Sequence, residues 1–213
     1  MFNKIKILKS NGYTPDTILD IGAYHGHWTN SMLQIYPYAN YTLFEAIDYI
    51  ELKKLPHNIN VHNILLNDRN DVVDWYEMRN TGDSMFREKT SYFANCNILK
   101  KKCYRLDEIV PILTTKNILM KIDCQGAEIP ILKGAGHVLD VTDFIILELP
   151  LFGQYNMGVP NFLEHIKYMD SIGFTAYDIL EDHYLNGFNI QIDMMFINKK
   201  HSFNKIVNKD IIV

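Results

Sequence analysis

The stretch TILDIGAYHGHWT, residues 17–29, constrains this chain more than any other. Ile18, Leu19 and Ile21 form an apolar run that carries one acid, Asp20, and passes directly into Gly22, Ala23, Tyr24 and Gly26. A buried strand ending in a glycine turn is the natural reading. Residues 27–35 then place Trp28, Met32 and Ile35 on one helical face, at spacings of four and three. Strand, tight turn and helix together bring free backbone N–H groups, and the positive end of a helix dipole, beside a small polar ligand. Gly22 permits the sharp turn, and Gly26 permits close approach to the helix backbone.

Asp20 narrows the choice of ligand. A dinucleotide fingerprint G-x-G-x-x-G sets a pyrophosphate at this turn, where a carboxylate would repel it. Here the spacing is G-x-x-x-G, with the acid two residues before the first glycine. An acid there suits a ligand with an ammonium or sulfonium cation, such as S-adenosylmethionine (SAM). The alternative is a glycine-containing strand-to-helix turn in an unrelated α/β protein.

With 213 residues the chain is expected to form one domain with a sizeable core, burying on the order of 70% of its unfolded surface. A hydrophobic share of 47% and a charged share of 22% are those of an ordinary globular protein. The net charge is −4 and no face is visibly concentrated in Lys and Arg, so a nucleic-acid partner lacks its electrostatic footprint. A small-molecule or carbohydrate acceptor fits better. Cys96, Cys103 and Cys124 form no C-x-x-C pair and read as reduced thiols. The first residues hold no apolar run of signal-peptide length and no segment approaches a membrane span, so a cytoplasmic location is expected.

Residues 3–10 read as a short covering helix ending at Asn11 and Gly12. Residues 41–46, YTLFEA, read as a second strand ending in Glu45, an acid about 20 residues beyond the glycine turn. That is where α/β nucleotide sites place a carboxylate for two ribose hydroxyls. Residues 47–55 read as a helix ended by Pro56, and residues 59–66 as a third strand. Asn67 and Asp68 in the following loop either face an adenine or serve only the turn. Residues 72–105 read as an insertion near the acceptor site, which either walls the site or receives the substrate, or only pads the sheet edge. In it VVDWYEM is a strand and one arm of an extra hairpin, Gly82, Asp83 and Ser84 lie in a polar loop, and YRLDEIV is a strand entering a helix.

The strong pattern resumes with ILMKIDC, residues 118–124, a buried strand ending in Asp123. A helix with Glu128, Ile131, Leu132 and Leu139 follows, broken by Gly134 and Gly136. FIILEL, residues 144–149, is another apolar strand, with Glu148 near its end. Parallel strands buried on both faces have this composition. Ligands of such sheets collect at the strand carboxyl ends, which puts Asp20, Glu45, Asp123 and Glu148 along one rim. Residues 162–172 form a helix with Phe162, Ile166 and Met169 on one face. Residues 175–185 and 188–198 flank Asn186 and Gly187, a strong hairpin signal, and the second arm alternates as Phe188, Ile190, Ile192 and Met194.

Taken in order, ILDIGAYHG, LFEA, TGDSMF, YRLDEIV, MKIDCQGAEIPILKGA and FIILEL resemble the FkbM family of class I SAM-dependent methyltransferases. The resemblance covers roughly Leu19 to Leu149 and is most specific in KIDCQGAEIPILKGA. It implies a Rossmann-like α/β fold with helices on both faces. The mostly parallel seven-stranded sheet would run 3-2-1-4-5-7-6 and close with an antiparallel hairpin. It also implies SAM over the ends of the first two strands, and O-methylation of a hydroxyl on a sugar, glycolipid or natural product. Asp20, Gly22, Ala23 and Gly26 would shape the methionine and ribose pocket, and Glu45 would hold the ribose. The candidate cofactor residues are therefore Asp20, Gly22, Ala23, Tyr24, Gly26, Glu45, Asn67, Asp68, Ser84 and Asp123. Gln125 stands where the family's D-x-E-G-x-E-like segment commonly carries Glu, which removes one negative charge.

A hydroxyl acceptor must lose its proton, so a base near the methyl donor is needed. Asp123 is the first candidate, His25 the second and Glu148 the third; each has a plain structural role as its alternative. Asp123 with Glu148 could instead hold Mg²⁺, but no tighter ligand cluster is visible and no metal is expected. Two rival functions stand beside the methyltransferase: a scaffold that binds SAM without turnover, and a nucleotide-dependent oxidoreductase. The absent G-x-G-x-x-G, Asp20 and the closing hairpin argue against the last.

Overall fold

The computed structural model describes residues 1–110, 117–151 and 155–203. Helix α1 (Phe2–Ser10) lays Ile5 and Leu8 into the core. Strand β1 (Thr17–Ile21) is buried along its whole length, as an apolar central strand must be. Gly22, at φ +81°, ends it, and α2 (His27–Ile35) starts from Gly26 at φ +76°. Strand β2 (Asn40–Phe44) returns parallel to β1, and β3 (Ile59–His62) adds outside it.

Two expectations for this region are corrected. Residues 47–55 hold only a single 3-10 turn, Leu52–Lys54, in place of a helix. Ile47, Tyr49 and Leu52 are buried at spacings of two and three, which no one helical face can serve, and the Ile47 N–H is taken by the Glu45 side chain at 2.9 Å. The strand read over residues 59–66 is divided. Asn63 turns out to donate to the Glu45 carbonyl at 2.9 Å, and the chain restarts as β4 (Leu65–Leu66) in a different sheet.

That second sheet has three strands in the order β4-β6-β5, formed with β5 (Asp71–Glu77) and β6 (Asn97–Tyr104). The extra hairpin read from VVDWYEM is present: β5 and β6 are antiparallel, Asp71 opposite Cys103 and Glu77 opposite Asn97. The chain then passes through α3 (Leu106–Ile109), β7 (Ile118–Ile122), α4 (Glu128–Lys133), β8 (Thr142–Pro150) and α5 (Phe162–Ser171). A reciprocal cap starts α5: Asn161 accepts from the Glu164 N–H at 2.9 Å, and Glu164 accepts from the Asn161 N–H at 2.6 Å. Strands β9 (Phe174–Leu185) and β10 (Phe188–Asn198) close the fold across Asn186 and Gly187, both at positive φ as a tight hairpin turn requires.

The main sheet runs β3-β2-β1-β7-β8-β10-β9, the order that the resemblance implied, with β9 and β10 the antiparallel pair. Successive residues of each central strand enter opposite cores. Ile18, Leu119 and Ile146 pack with Ile5, Met32 and Ile35 of α1 and α2. Leu19, Met120 and Ile145 pack with Ile131, Leu132 and Met169 of α4 and α5. The alternation read in the last strand holds for Ile192 and Met194 and fails at Phe188, which lies exposed beside the hairpin turn. Among the described residues no helix is long and apolar enough to cross a membrane.

Candidate functional site

A cavity of about 800 Å³ opens at the carboxyl ends of the parallel strands. It follows the strand order, from Glu45 after β2, past Gly22 after β1, to Asp123 after β7, Glu148 in β8 and Gln191 in β10. Gly22 is needed here for two reasons. Its φ is left-handed, and a Cβ on it would stand 2.0 Å from the Asp123 carbonyl oxygen. Ala23 and Tyr24 continue the floor, and the Tyr24 N–H donates to Glu45 Oε2 at 2.7 Å. Glu45 thus ties the first turn to the second strand. Burial raises its carboxyl above the ordinary value, against the lowering effect of the Ile47 and Tyr24 N–H groups.

The wall is completed by the insertion. Asn80, Thr81, Gly82, Asp83, Met85 and Phe93 line the cavity, and Ser84 beneath them is buried. Ser84 Oγ donates to the Gln125 carbonyl at 3.0 Å and accepts from the Phe86 N–H at 3.0 Å, which fixes the segment to the turn after β7. Met157 N donates to the Arg87 carbonyl and Lys89 N to the Tyr155 carbonyl, joining the insertion to the chain beyond β8. Phe152, Gly153 and Gln154, between β8 and Tyr155, lie outside the described residues.

Asp20, Gly26, His25, Asn67 and Asp68 do not line the cavity. Asp20 is fully buried behind it; Oδ2 accepts from Thr29 at 2.6 Å, linking β1 to α2. Leu52 and Leu55 approach Gly26. His25 Nδ1 lies 2.9 Å from Glu51. Asn67 donates to Cys103 Sγ at 3.5 Å, and Asp68 lies 3.4 Å from Arg69. The chain after β3 offers Ile64, Leu65 and Leu66 to the cavity instead, an apolar surface suited to a flat base.

The other end is polar. Lys121 Nζ donates to Asp123 Oδ2 at 2.8 Å, and Gln125 bridges Asp123 Oδ1 at 3.3 Å and Glu148 Oε2 at 2.9 Å. Gln191 also donates to Glu148, at 3.2 Å. Burial works to raise the Asp123 carboxyl, but Lys121, Gln125 and His183 outweigh it and hold it below the ordinary value. Among the described residues Glu148 has no such cation in contact. Burial, then the charges of Asp123, Asp193 and Glu128, push it well above the ordinary value.

Sequence reasoning passed over three residues here. His183 in β9 lines the cavity and its Nε2 lies 2.9 Å from Oδ2 of buried Asp193 in β10. The Asp193 bond raises the basicity of His183, against the effect of burial. Nothing local in the sequence links these two, because only the strand register brings them together. Lys121 did carry a signal: a charge inside the apolar run ILMKI.

A 3-2-1-4-5-7-6 sheet with a glycine turn after the first strand and a carboxylate after the second defines a class I methyltransferase fold. The model of the methyltransferase FkbM domain matches residues 20–176, and the chain belongs to that family, whose methyl donor is SAM. No curated protein matches the chain. Among solved structures, the methyltransferase FkbM from Methylobacillus flagellatus KT is similar at TM-score 0.54 and 14% identity. The match covers 84% of this chain but 43% of that one, so this chain spans less than half of that relative's length. The 1,6-didemethyltoxoflavin-N1-methyltransferase of Burkholderia thailandensis, solved with S-adenosylhomocysteine, is similar at TM-score 0.55 and 10% identity, over 91% of this chain and 76% of that one. The magnesium protoporphyrin IX methyltransferase of Synechocystis PCC 6803, solved with SAM, is similar at TM-score 0.51 and 7% identity, over 92% and 77%. At these identities the likeness is one of fold.

The cavity fits the cofactor on its own chemistry. Among the described residues, Tyr49 Oη and Asp83 Oδ2 are buried without a hydrogen-bond partner, and both residues line the cavity with Glu45. Buried polar atoms of this kind are costly unless a ligand or water meets them. Ribose hydroxyls and an adenine amine are groups that would do so.

Proposed function

We propose that the protein is a SAM-dependent O-methyltransferase acting on a hydroxyl of a sugar, glycan, glycolipid or natural-product small molecule, as a single cytoplasmic domain spanning residues 1–213. The observation that carries this reading is the His183–Asp193 pair on the cavity wall, 2.9 Å apart. With Nε2 turned to Asp193, Nδ1 is the nitrogen left to take a proton from an acceptor hydroxyl. Asp123 is the weaker base, since Lys121 holds its charge, and His25 does not line the cavity. Glu148, with its raised carboxyl, is suited to donating a hydrogen bond to a second acceptor hydroxyl.

Glu45 and the turn from Gly22 to Tyr24 would hold the cofactor, with Ile64 and Leu66 against the base. When bound, the cofactor supplies a methyl group already activated on a sulfonium. The remaining task falls to the chain's own residues: aligning the oxygen, excluding water under the insertion, and removing one proton.

The test is transfer from methyl-labelled SAM to a panel of methyl glycosides and matched amino-glycosides. Hydroxyl compounds should be methylated, and His183→Asn should slow transfer by about a hundredfold or more while SAM binding persists. Transfer confined to the amines, or an unaffected His183→Asn variant, would overturn the reading.

A further inference from the structure

We propose that Lys121 grips the α-carboxylate of the cofactor's methionine moiety, so that this lysine selects zwitterionic SAM over forms lacking the carboxylate. Lys121 projects from near the carboxyl end of β7, as the fourth residue of a strand otherwise built of Ile, Leu and Met. Its side chain is 7% exposed, yet it lines the cavity. A buried ammonium is costly to desolvate and needs acceptors for three N–H groups. Among the described residues one acceptor bonds it, Asp123 Oδ2 at 2.8 Å. Asp20 contributes charge without a hydrogen bond, since its Oδ2 is taken by Thr29 and its Oδ1 has no partner. Two donors are therefore left for whatever occupies the cavity.

The position of the ammonium identifies that occupant. It lies 5.9 Å from the ring centroid of Trp28, in the first turn of α2. Trp28 and His27 line the cavity there, and the N-cap of α2, Gly26, has no side chain with which to cap the helix. The positive end of a nine-residue helix and a buried ammonium thus flank one spot, next to the Gly22 turn. The anionic group that SAM carries is its methionine carboxylate. The neighbouring Asp123 carboxylate, ionised and about one-third exposed, is placed for the ammonium of the same zwitterion. A cation and an anion held 2.8 Å apart in the wall would match the two charges of an amino acid head group.

Calorimetric titration of the purified protein separates this from other roles of Lys121. The probes are SAM and decarboxylated SAM, which differ only in the carboxylate. The wild-type protein should bind SAM at least tenfold more tightly than the decarboxylated form. Lys121→Met should weaken SAM by tenfold or more, leave the decarboxylated form within about twofold, and so erase the preference. Where Lys121→Met alone does not fold, the double variant with Asp123→Asn removes the stranded carboxylate and is compared with Asp123→Asn alone, which lacks the same ammonium partner and should still prefer SAM. Equal binding of both probes by the wild type, or an intact preference in the variant, overturns the proposal. Failure of the wild type to bind either probe would instead overturn the cofactor assignment, and the proposal with it.

Discussion

The Lys121 ammonium stands 2.8 Å from the Asp123 carboxylate at the edge of the cavity, with Asp20 fully buried behind it. One buried cation thus holds Asp20 within β1 and Asp123 after β7 in a common field, which raises its own pKa and lowers that of Asp123. Removing one member of such a group strands the others. Lys121→Met should therefore cost roughly 3 kcal/mol or more of unfolding free energy in urea, and adding Asp123→Asn should recover part of the loss. A single variant as stable as the wild type would contradict this.

Gly22 is constrained by its conformation and by its neighbour. A Cβ there would lie 2.0 Å from the Asp123 carbonyl oxygen, and φ is +81°. Gly22→Ala should lose at least about 2 kcal/mol, because left-handed strain alone accounts for 1–2. Thermal unfolding gives the answer, and an unchanged midpoint would show that the turn relaxes freely.

Glu128 makes stability depend on pH. It is 2% exposed, and its Oε1 accepts from the Cys124 N–H at 3.0 Å and from Gly126 at 3.3 Å, while Oε2 lies 3.9 Å from buried His165. Burial raises its pKa to about 7 from 4.5. Because the folded value is the higher one, the stability that Glu128 contributes is fully present below about pH 4.5 and is lost as pH rises through about 7. Glu128→Gln keeps the carbonyl acceptor and cannot ionise. The difference in unfolding free energy between the wild type and this variant should therefore change by roughly 2 to 3 kcal/mol between pH 4.5 and 8, in the variant's favour at high pH. A flat difference would contradict it.

Ser84 anchors the insertion over the cavity through one donated and one accepted bond, both at 3.0 Å. Ser84→Ala leaves the Gln125 carbonyl and the Phe86 N–H without that partner, at a cost of about 1–3 kcal/mol. Faster amide exchange at Phe86, with exchange in β1 and β7 unchanged, is the expected signature. Equal speeding in all three segments would mean that Ser84 supports the whole fold.

The fold was readable where burial alone dictates the residues. Ile18 to Ile21, Ile118 to Ile122 and the Asn186–Gly187 hairpin follow from apolar runs and turn chemistry. Legibility failed where a segment serves two surfaces at once. Residues 47–55 are spaced for a cavity wall rather than a helix face, and β6 is masked by Lys100, Lys101 and Lys102, of which Lys101 reaches the Ala46 carbonyl at 2.8 Å and the Trp75 ring. Glu45 and Asp123 reach the cavity as strand-end logic expects, whereas Asp20 points into the α2 interface because a residue within β1 faces one core or the other. His183 and Asp193 are ten residues apart across a hairpin, and only the register brings them into contact.

Calorimetric titration of SAM into the wild-type protein and into Glu45→Ala tests the central claim most directly. Glu45 lies between the first two strand ends, lines the cavity and holds the Tyr24 N–H at 2.7 Å. One molecule of SAM should bind per wild-type chain, and the variant should bind it at least about tenfold more weakly, the loss expected for a charged hydrogen-bond acceptor. Its unfolding should remain cooperative. A wild-type chain that takes up no SAM, or a Glu45→Ala chain that binds it as tightly, would contradict the account of where the cofactor sits.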